Sequence, residues 1–438
     1  MCRYIQIESC ENKYLLNEEL WKNIISMVDS FTHQIMNEEC CNLSVLDKIS
    51  VLGFIQEIYF LSKGKEELLE KVFEILSDLR ERIESGLLNN IALFGGLCNI
   101  GIFLQGLEKE TGYFTKFLNS LDSYIVKSVS DLCRAYSANL EYNAVTHYDV
   151  ISGMSGTAAY LLQRKSENNR KGILEIIKYF NELTKKRKSN GLDVPGWYVN
   201  REFLPTDDYK DEYERGCVNF SLSHGIAGPL FILSKAYSNG IQISGQKEAM
   251  ERVLEEYERL SWYEDGIWYC PGILAPEEYQ KDGNRVNKRM SWCYGSISVL
   301  NSLGMTAKAL DNSERKMWCE RVIDRVAHIK MENLELESPI LCHGYAGTAA
   351  VFRNLYEYSN SAAALNLCRR LIEKVVSSFK QEYKWGFQDI IRRKRENVIV
   401  VERFDKLNFL EGACGIYSEL ATYLKRYNCY YDTMLLLK

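Results

Sequence analysis

The sequence predicts an all-α fold, an α/α toroid in which a ring of inner helices is surrounded by outer helices. Three observations indicate this fold: six copies of a glycine-centred segment, amphipathic stretches between the copies, and only two segments without helical spacing. The composition, 46% hydrophobic and 26% charged residues, is ordinary for a soluble globular protein. No low-complexity linker divides the chain, so we expect a single toroid domain over residues 1–438.

The glycine-centred segments set the architecture. They read FGGLCNIGIFLQ at 94–105, ISGMSGTAAYLL at 151–162, LSHGIAGPLFIL at 222–233, CYGSISVLNSLG at 293–304, LCHGYAGTAA at 341–350 and FLEGACGIYSEL at 409–420. Aligned, they share a glycine at 96, 153, 225, 295, 344 and 412. Neighbouring glycines are 49 (295 to 344) to 72 (153 to 225) residues apart, which is long enough for two helices per repeat. A degenerate first copy around Gly53 would make about seven repeats.

Two helical layers follow from the pattern of apolar residues. The helix that each glycine leads is hydrophobic nearly all round and is expected inside, whereas stretches such as 68–83 are amphipathic and can face solvent. Closing the ring places the glycine loops together at one end, where a site built from several repeats would lie. Residues 189–221 and 264–279 lack helical spacing, and we expect them to form strands or loops of a small accessory lobe, with 189–221 as an insertion.

Charge and composition exclude several classes of function. A net charge of −5 and a pI near 5.8 argue against a nucleic-acid binder. No apolar run approaches the roughly 18 residues of a membrane span, and the N-terminus does not resemble a secretory signal. We therefore expect a cytoplasmic protein whose 14 cysteines stay reduced.

Reactive side chains concentrate just before the glycine in three of the loops. These residues are His224, Cys293, Cys342 and His343, in a chain with only 5 histidines. Two thiolates and one imidazole form a zinc ligand set that keeps a fourth position open. Because His343 adjoins Cys342, we assign Cys293, Cys342 and His343 as the ligands and leave His224 for acid–base work. The alternative is two buried structural cysteines and a histidine without metal.

The charge of such a centre indicates its chemistry. Two thiolates cancel the charge of Zn²⁺, so a third thiolate, from a substrate, would make the centre electron-rich. A zinc site of this kind suits activation of a thiol better than activation of water.

Four motifs carry a resemblance to a known family: YDVISGMSG at 148–156, SHGIAG at 223–228, WCYG at 292–295 and CHGYAG at 342–347. They resemble the lanthionine synthetase C-like family, the cyclases of lantibiotic biosynthesis, and the glycine repeats extend the resemblance over essentially the whole chain. WCYG followed by CHG at this separation is highly specific, whereas one GxxG would carry no weight.

The resemblance implies a toroid with zinc held by Cys293, Cys342 and His343. It implies a lantibiotic precursor peptide, already dehydrated by another enzyme, as substrate. By intramolecular Michael addition, the cyclase adds peptide Cys thiols to dehydroalanine or dehydrobutyrine and forms thioether rings. The family also implies partners, a dehydratase and an exporter in a membrane-associated complex, and no nucleic acid.

The resemblance further implies catalytic roles for Asp149, His224, Arg289 and Tyr294. We expect His224 to deliver the proton to the α-carbon, since imidazole titrates near neutrality. Asp149 could orient His224, Arg289 could stabilise the enolate or hold the loop of Cys293, and Tyr294 could hydrogen-bond to either. The alternatives are a structural Arg289–Asp149 ion pair and a packing role for Tyr294.

Two other functions stay open at this point. One is a non-catalytic scaffold that binds the precursor peptide. The other is a different zinc thiol-alkylating enzyme, such as a prenyltransferase-like protein, although that family normally has an Asp where this chain has Cys293.

Overall fold

The computed structural model describes residues 3–5, 16–62, 64–189, 191–281, 283–395, 398–424 and 429–438, and these residues are mostly helical. Helices and strands are numbered in chain order. The outer layer consists of α1 (Glu18–Asn37), α3 (Lys65–Glu84), α5 (Thr115–Ala138), α8 (Glu167–Leu183), α11 (Gln246–Leu260), α14 (Ser313–Val326) and α16 (Ala362–Ser377). The inner layer consists of α2 (Val45–Tyr59), α4 (Leu97–Thr111), α7 (Met154–Gln163), α10 (Ala227–Ser238), α13 (Ser296–Ala309), α15 (Tyr345–Ser359) and α17 (Ala413–Thr422). Three short helices are α6 (Val145–Tyr148), α9 (Asp207–Glu212) and α12 (Pro276–Gln280).

The inner helices form a closed ring. They contact one another in the order α2, α4, α7, α10, α13, α15 and α17, and α17 contacts α2. The predicted α/α toroid is therefore confirmed, and α2 supplies the seventh repeat. The position of Gly53 differs from the prediction, because it lies in the middle of α2, where an added Cβ would be 2.5 Å from the Phe103 ring.

The two layers differ in how they are buried, as the sequence predicted. Nearly every residue of α2, α4 and α10 is buried. Outer helix α1 instead buries a stripe at intervals of three or four residues: Leu20, Ile24, Val28, Phe31 and Ile35.

Glycines begin the inner helices because the backbone is crowded there. Gly344 caps α15 in an extended conformation, with φ −124°, that any residue can adopt. A Cβ at Gly344 would lie 2.2 Å from the Ser338 carbonyl oxygen, and one at Gly347 would lie 1.7 Å from that of Leu341. These glycines are thus required for space and not for an unusual backbone conformation.

The strands form small antiparallel pairs. They are β1 (Lys186–Ser189), β2 (Leu192–Pro195), β3 (Val218–Asn219), β4 (Trp262–Glu264), β5 (Ile267–Tyr269), β6 (Ile273–Leu274), β7 (Asp389–Arg395) and β8 (Val398–Phe404). The pairs are β1–β2, β3–β6, β4–β5 and β7–β8. The accessory strands predicted near 189–221 and 264–279 are present. The β7–β8 hairpin is a difference; in β7, which reads DIIRRKR, a run of basic residues hides the alternation of a strand.

Residues 429–438 fill the inside of the ring. Met434, Leu435, Leu436 and Leu437 are at most 2% exposed. The Trp292 indole donates a hydrogen bond to the Leu435 carbonyl oxygen at 2.9 Å. The toroid is therefore a packed core and not a channel. No helix among the described residues is long and apolar enough to cross a membrane.

We expect Gly347→Ala to lower the free energy of unfolding by about 1–3 kcal/mol or more, because the new methyl group overlaps the Leu341 carbonyl and the backbone must move. Gly304→Ala in α13 is the control, since its Cβ would meet only the Tyr358 side chain at 3.3 Å. The higher helix propensity of alanine should keep that change within about 1 kcal/mol. Urea unfolding measures both, and equal effects would contradict the crowding argument.

Candidate functional site

Backbone hydrogen bonds join the glycine loops to one another at one end of the ring. We call this set of bonds the loop ladder. Its N–H to O=C pairs are Phe94 to Ile151 (3.1 Å), Val150 to Ser223 (3.0 Å), Ser223 to Cys293 (3.1 Å), Cys293 to Cys342 (3.1 Å) and Cys342 to Leu410 (2.9 Å). In four of the five pairs both residues lie two positions before the glycine of their loop. The ladder therefore holds equivalent positions of neighbouring loops side by side.

Cys293 and Cys342 occupy such equivalent positions, and their thiols are hydrogen-bonded. The bond from Cys342 is the main cause that lowers the pKa of Cys293, to about 6; burial opposes it, and the charges of His343 and Arg289 add to the lowering. The same bond, together with burial, raises the pKa of Cys342 well above its usual value. Within the pair, Cys293 is therefore the thiol that more readily becomes a thiolate, and Cys342 the one that more readily keeps its proton.

His343 lies beside this pair with its ring held by a carboxylate. Its Nε2 is 3.2 Å from Asp389 Oδ1, and the Asp389 side chain is fully buried. Burial raises the pKa of Asp389, but hydrogen bonds from His343 and Lys406 outweigh it and hold the pKa below its usual range. Because Nε2 faces Asp389, Nδ1 is the ring nitrogen left for another partner.

The predicted ligands are residue types that bind zinc, but their side chains do not converge on one point in the structure. Among the described residues, no group of three or more His, Cys, Asp or Glu side chains is arranged to hold a metal ion. The donor set itself, two cysteines and a neighbouring histidine, is a set that zinc prefers. A carboxylate on the other nitrogen is also the usual environment of a zinc-bound histidine.

His224 and Asp149 form a second unit on the neighbouring loops. His224 Nδ1 is 2.7 Å from Asp149 Oδ2, and the carboxylate is fully buried while the imidazole is 35% exposed. Asp149 Oδ1 accepts hydrogen bonds from the N–H groups of Ser152 and Gly153, both at 2.8 Å. The carboxylate is thus fixed at the start of α7, and His224 keeps Nε2 available.

Tyr294 lies next to His224, with 6.2 Å between the ring centroids. Its hydroxyl contacts the side chains of Tyr209 and Asn219, and burial raises the pKa of Tyr294 well above its usual value. Tyr209 belongs to α9, so the accessory segment at 189–221 reaches the site.

Arg289 stands apart from the other predicted residues. It is exposed, and within the described part of the chain it forms no ion pair. Asp149 pairs with His224 instead, so the alternative of an Arg289–Asp149 ion pair is wrong. The charge of Arg289 still lowers the pKa of Cys293, which places it within electrostatic reach of the thiols.

Several residues of the site lie outside the motifs and were not predicted. They are Asp389, Ser338 and Lys406 around His343, and Tyr209 and Asn219 at Tyr294. Asp389 lies outside the six glycine-centred segments and begins a strand that the sequence did not indicate. Tyr209 and Asn219 fall in the segment recognised as non-helical, where the lack of periodicity gave no residue-level signal.

Comparisons with known proteins identify related chains. A family model described as Lanthionine synthetase C-like protein matches residues 56–436. The Nisin biosynthesis protein NisC of Lactococcus lactis subsp. lactis is 27% identical over 331 residues, which are 74% of this chain and 72% of that protein. A solved structure of Nisin cyclase matches with a TM-score of 0.77 and 20% identity, covering 96% of this chain and 98% of that chain, which shows the shared fold.

In metal-free protein we expect Cys293 to react with iodoacetamide with a midpoint near pH 6, because its thiolate is present above that pKa. Cys342→Ala removes the hydrogen bond that lowers the pKa, while burial remains, so the rate at Cys293 near pH 7 should fall at least about tenfold. Peptide mass spectrometry gives the rates. The exposed Cys41 is the internal control, and its rate should not change. An unchanged rate at Cys293 would contradict the thiol pairing.

Proposed function

The chain belongs to the lanthionine synthetase C-like family, and on this premise we propose that it is a zinc-dependent lantibiotic cyclase. Its substrate is a precursor peptide that contains dehydroalanine or dehydrobutyrine. Addition of a peptide Cys thiol to the β-carbon closes a thioether ring. The observation that carries the proposal is the pairing of the Cys293 and Cys342 thiols beside His343, with the His224–Asp149 unit on the adjoining loops.

In this proposal Cys293, Cys342 and the Nδ1 atom of His343 hold the zinc. When bound by two thiolates and an imidazole, zinc lowers the pKa of a substrate thiol yet leaves its sulfur nucleophilic. The lowered pKa of Cys293 supports this assignment, because zinc binds the thiolate form.

His224 is the proton donor and acceptor. Ring closure removes a proton from the thiol and adds one to the α-carbon, so it requires a group that can accept and donate a proton. The contact of Nδ1 with Asp149 leaves Nε2 for the reacting atoms. Because Asp149 is itself held by two backbone N–H groups, it fixes the orientation of the imidazole.

Arg289 and Tyr294 complete the proposed site. Negative charge develops on the amide oxygen when the sulfur attacks, and the exposed guanidinium of Arg289, within electrostatic reach of Cys293, is suited to stabilise it. Tyr294, anchored through its hydroxyl to Tyr209 and Asn219, forms the wall beside His224.

The substrate requires an earlier reaction, because dehydro residues arise by elimination of water from Ser and Thr. We place the cyclase in the cytoplasm, beside a dehydratase that supplies the peptide and an exporter that removes the product. The support for these partners is the family alone.

We expect about one zinc ion per chain in the parent protein and almost none in Cys293→Ala, measured by elemental analysis of folded samples. Cys133→Ala is the matched control, since Cys133 is a buried cysteine in the outer helix α5, away from the loop ladder, and it should keep its zinc. A folded parent that holds no zinc and resists reconstitution would reject zinc dependence. The precursor-binding scaffold would then become the better model.

His224→Ala should keep its zinc but lose ring formation by about 10²–10⁴-fold, because it lacks the general acid–base group. Cyclisation does not change peptide mass, so free Cys is counted by alkylation of the dehydrated peptide before mass spectrometry. Loss of zinc from this variant would show that the ligand assignment is wrong.

A further inference from the structure

Asp389 lies at the meeting point of three chain segments behind the thiol pair. Its Oδ1 is 3.2 Å from His343 Nε2 and accepts a hydrogen bond from Ser338 Oγ at 2.9 Å. Its Oδ2 accepts a hydrogen bond from Lys406 Nζ at 3.0 Å. One buried carboxylate therefore connects the loop before α15, the first residue of β7 and the segment after β8.

The supporting groups are themselves held in place. Lys406 also donates to Glu411 at 2.9 Å, so its ammonium is shared between two carboxylates. Ser338 Oγ accepts the N–H of Ile390 at 3.2 Å, which fixes the hydroxyl as a donor towards Asp389. The Asp389 carboxylate is thus neutralised and oriented without the help of His343.

The contact between Asp389 Oδ1 and His343 Nε2 is therefore not needed to hold the carboxylate, and its effect is to orient the imidazole. The His343 side chain is 20% exposed, so burial alone does not require this hydrogen bond. A carboxylate that accepts N–H from one ring nitrogen selects the tautomer whose other nitrogen carries the lone pair. That nitrogen is Nδ1, the ring nitrogen that lies nearer the backbone of His343.

We propose that Asp389 is the positioning residue of the metal centre, which turns Nδ1 of His343 towards the thiol pair and sets the strength of metal binding. This inference rests on the proposed zinc function. It assigns a role to the β7–β8 hairpin, whose first residue supplies the carboxylate and whose continuation supplies Lys406.

A buried ion pair of Asp389 and Lys406 that only stabilises the fold is the competing explanation. The chain offers a matched case. Asp122 is also buried, accepts a hydrogen bond from a hydroxyl, that of Tyr160 at 2.6 Å, and pairs with a cation, Arg164, at 2.8 Å. Among the described residues Asp122 has no imidazole partner, so Asp122→Asn measures what loss of such a carboxylate does to the fold alone.

The test is the zinc dissociation constant of folded protein, obtained by competition with a chromogenic chelator. Asp389→Asn should weaken zinc binding about 10–100-fold, the usual effect of removing the carboxylate behind a zinc histidine. Asp122→Asn should leave it within about twofold of the parent. An unchanged constant in folded Asp389→Asn, or an equal loss in Asp122→Asn, would overturn the inference.

A second measurement needs no variant. In ¹¹³Cd-loaded parent protein with ¹⁵N-labelled histidine, we expect cadmium–nitrogen coupling at Nδ1 of His343. Coupling at Nε2 would overturn the inference while leaving the zinc centre intact. If the parent bound neither zinc nor cadmium, the proposed function and this inference would both fail. Coupling at Nε2 would be failure of the inference alone, so the two cases are distinguishable. Ser338→Ala, which removes one supporting bond to Oδ1, should weaken zinc binding by a smaller factor than Asp389→Asn.

Discussion

The loop ladder is the constraint on which the rest of the site depends. Each net backbone hydrogen bond contributes only about 1 kcal/mol, but a buried N–H left without a partner costs roughly 1–3 kcal/mol. The bonds therefore act mainly to fix the register between neighbouring loops, because a loop displaced by one residue would lose its partners on both sides. Because Cys293 and Cys342 lie at equivalent rungs, the backbone brings their sulfurs together. The missing Cβ atoms at the start of six of the inner helices allow this approach.

The two imidazoles of the site contact carboxylates through different ring nitrogens. Each is held by a fully buried carboxylate, but Asp149 takes Nδ1 of His224 and Asp389 takes Nε2 of His343. One histidine therefore keeps Nε2 and the other keeps Nδ1. The first suits a proton carrier that extends into open space, and the second suits a short-range ligand beside its own backbone. The two histidines therefore suit different roles, because each carboxylate contacts a different ring nitrogen.

Sequence patterns predicted the toroid because the same order of buried and half-buried helices repeats along the chain. Glycine followed by an all-round apolar helix, then an amphipathic helix, can be recognised in each copy. The same repeat aligned His224, Cys293 and Cys342 on equivalent loops. It could not reveal Asp389, which contacts His343 across 46 residues (389 − 343) from a hairpin outside the repeat. Nor could it show that Gly344 is needed for space and not for φ, since that depends on where Ser338 folds back.

If the proposed zinc site is correct, the loop ladder also determines how the protein responds to loss of the metal. In small zinc domains the metal supplies the folding free energy, and the apo chain is unfolded. Here the thiols are already paired and the loops already bonded through the backbone, so most of the ordering of the ligands is completed when the ring closes. On the proposed function, metal occupancy would add to stability only through mass action, by RT ln(1 + [Zn²⁺]/Kd). A cell short of zinc would then accumulate a folded, inactive toroid that could take up zinc without refolding.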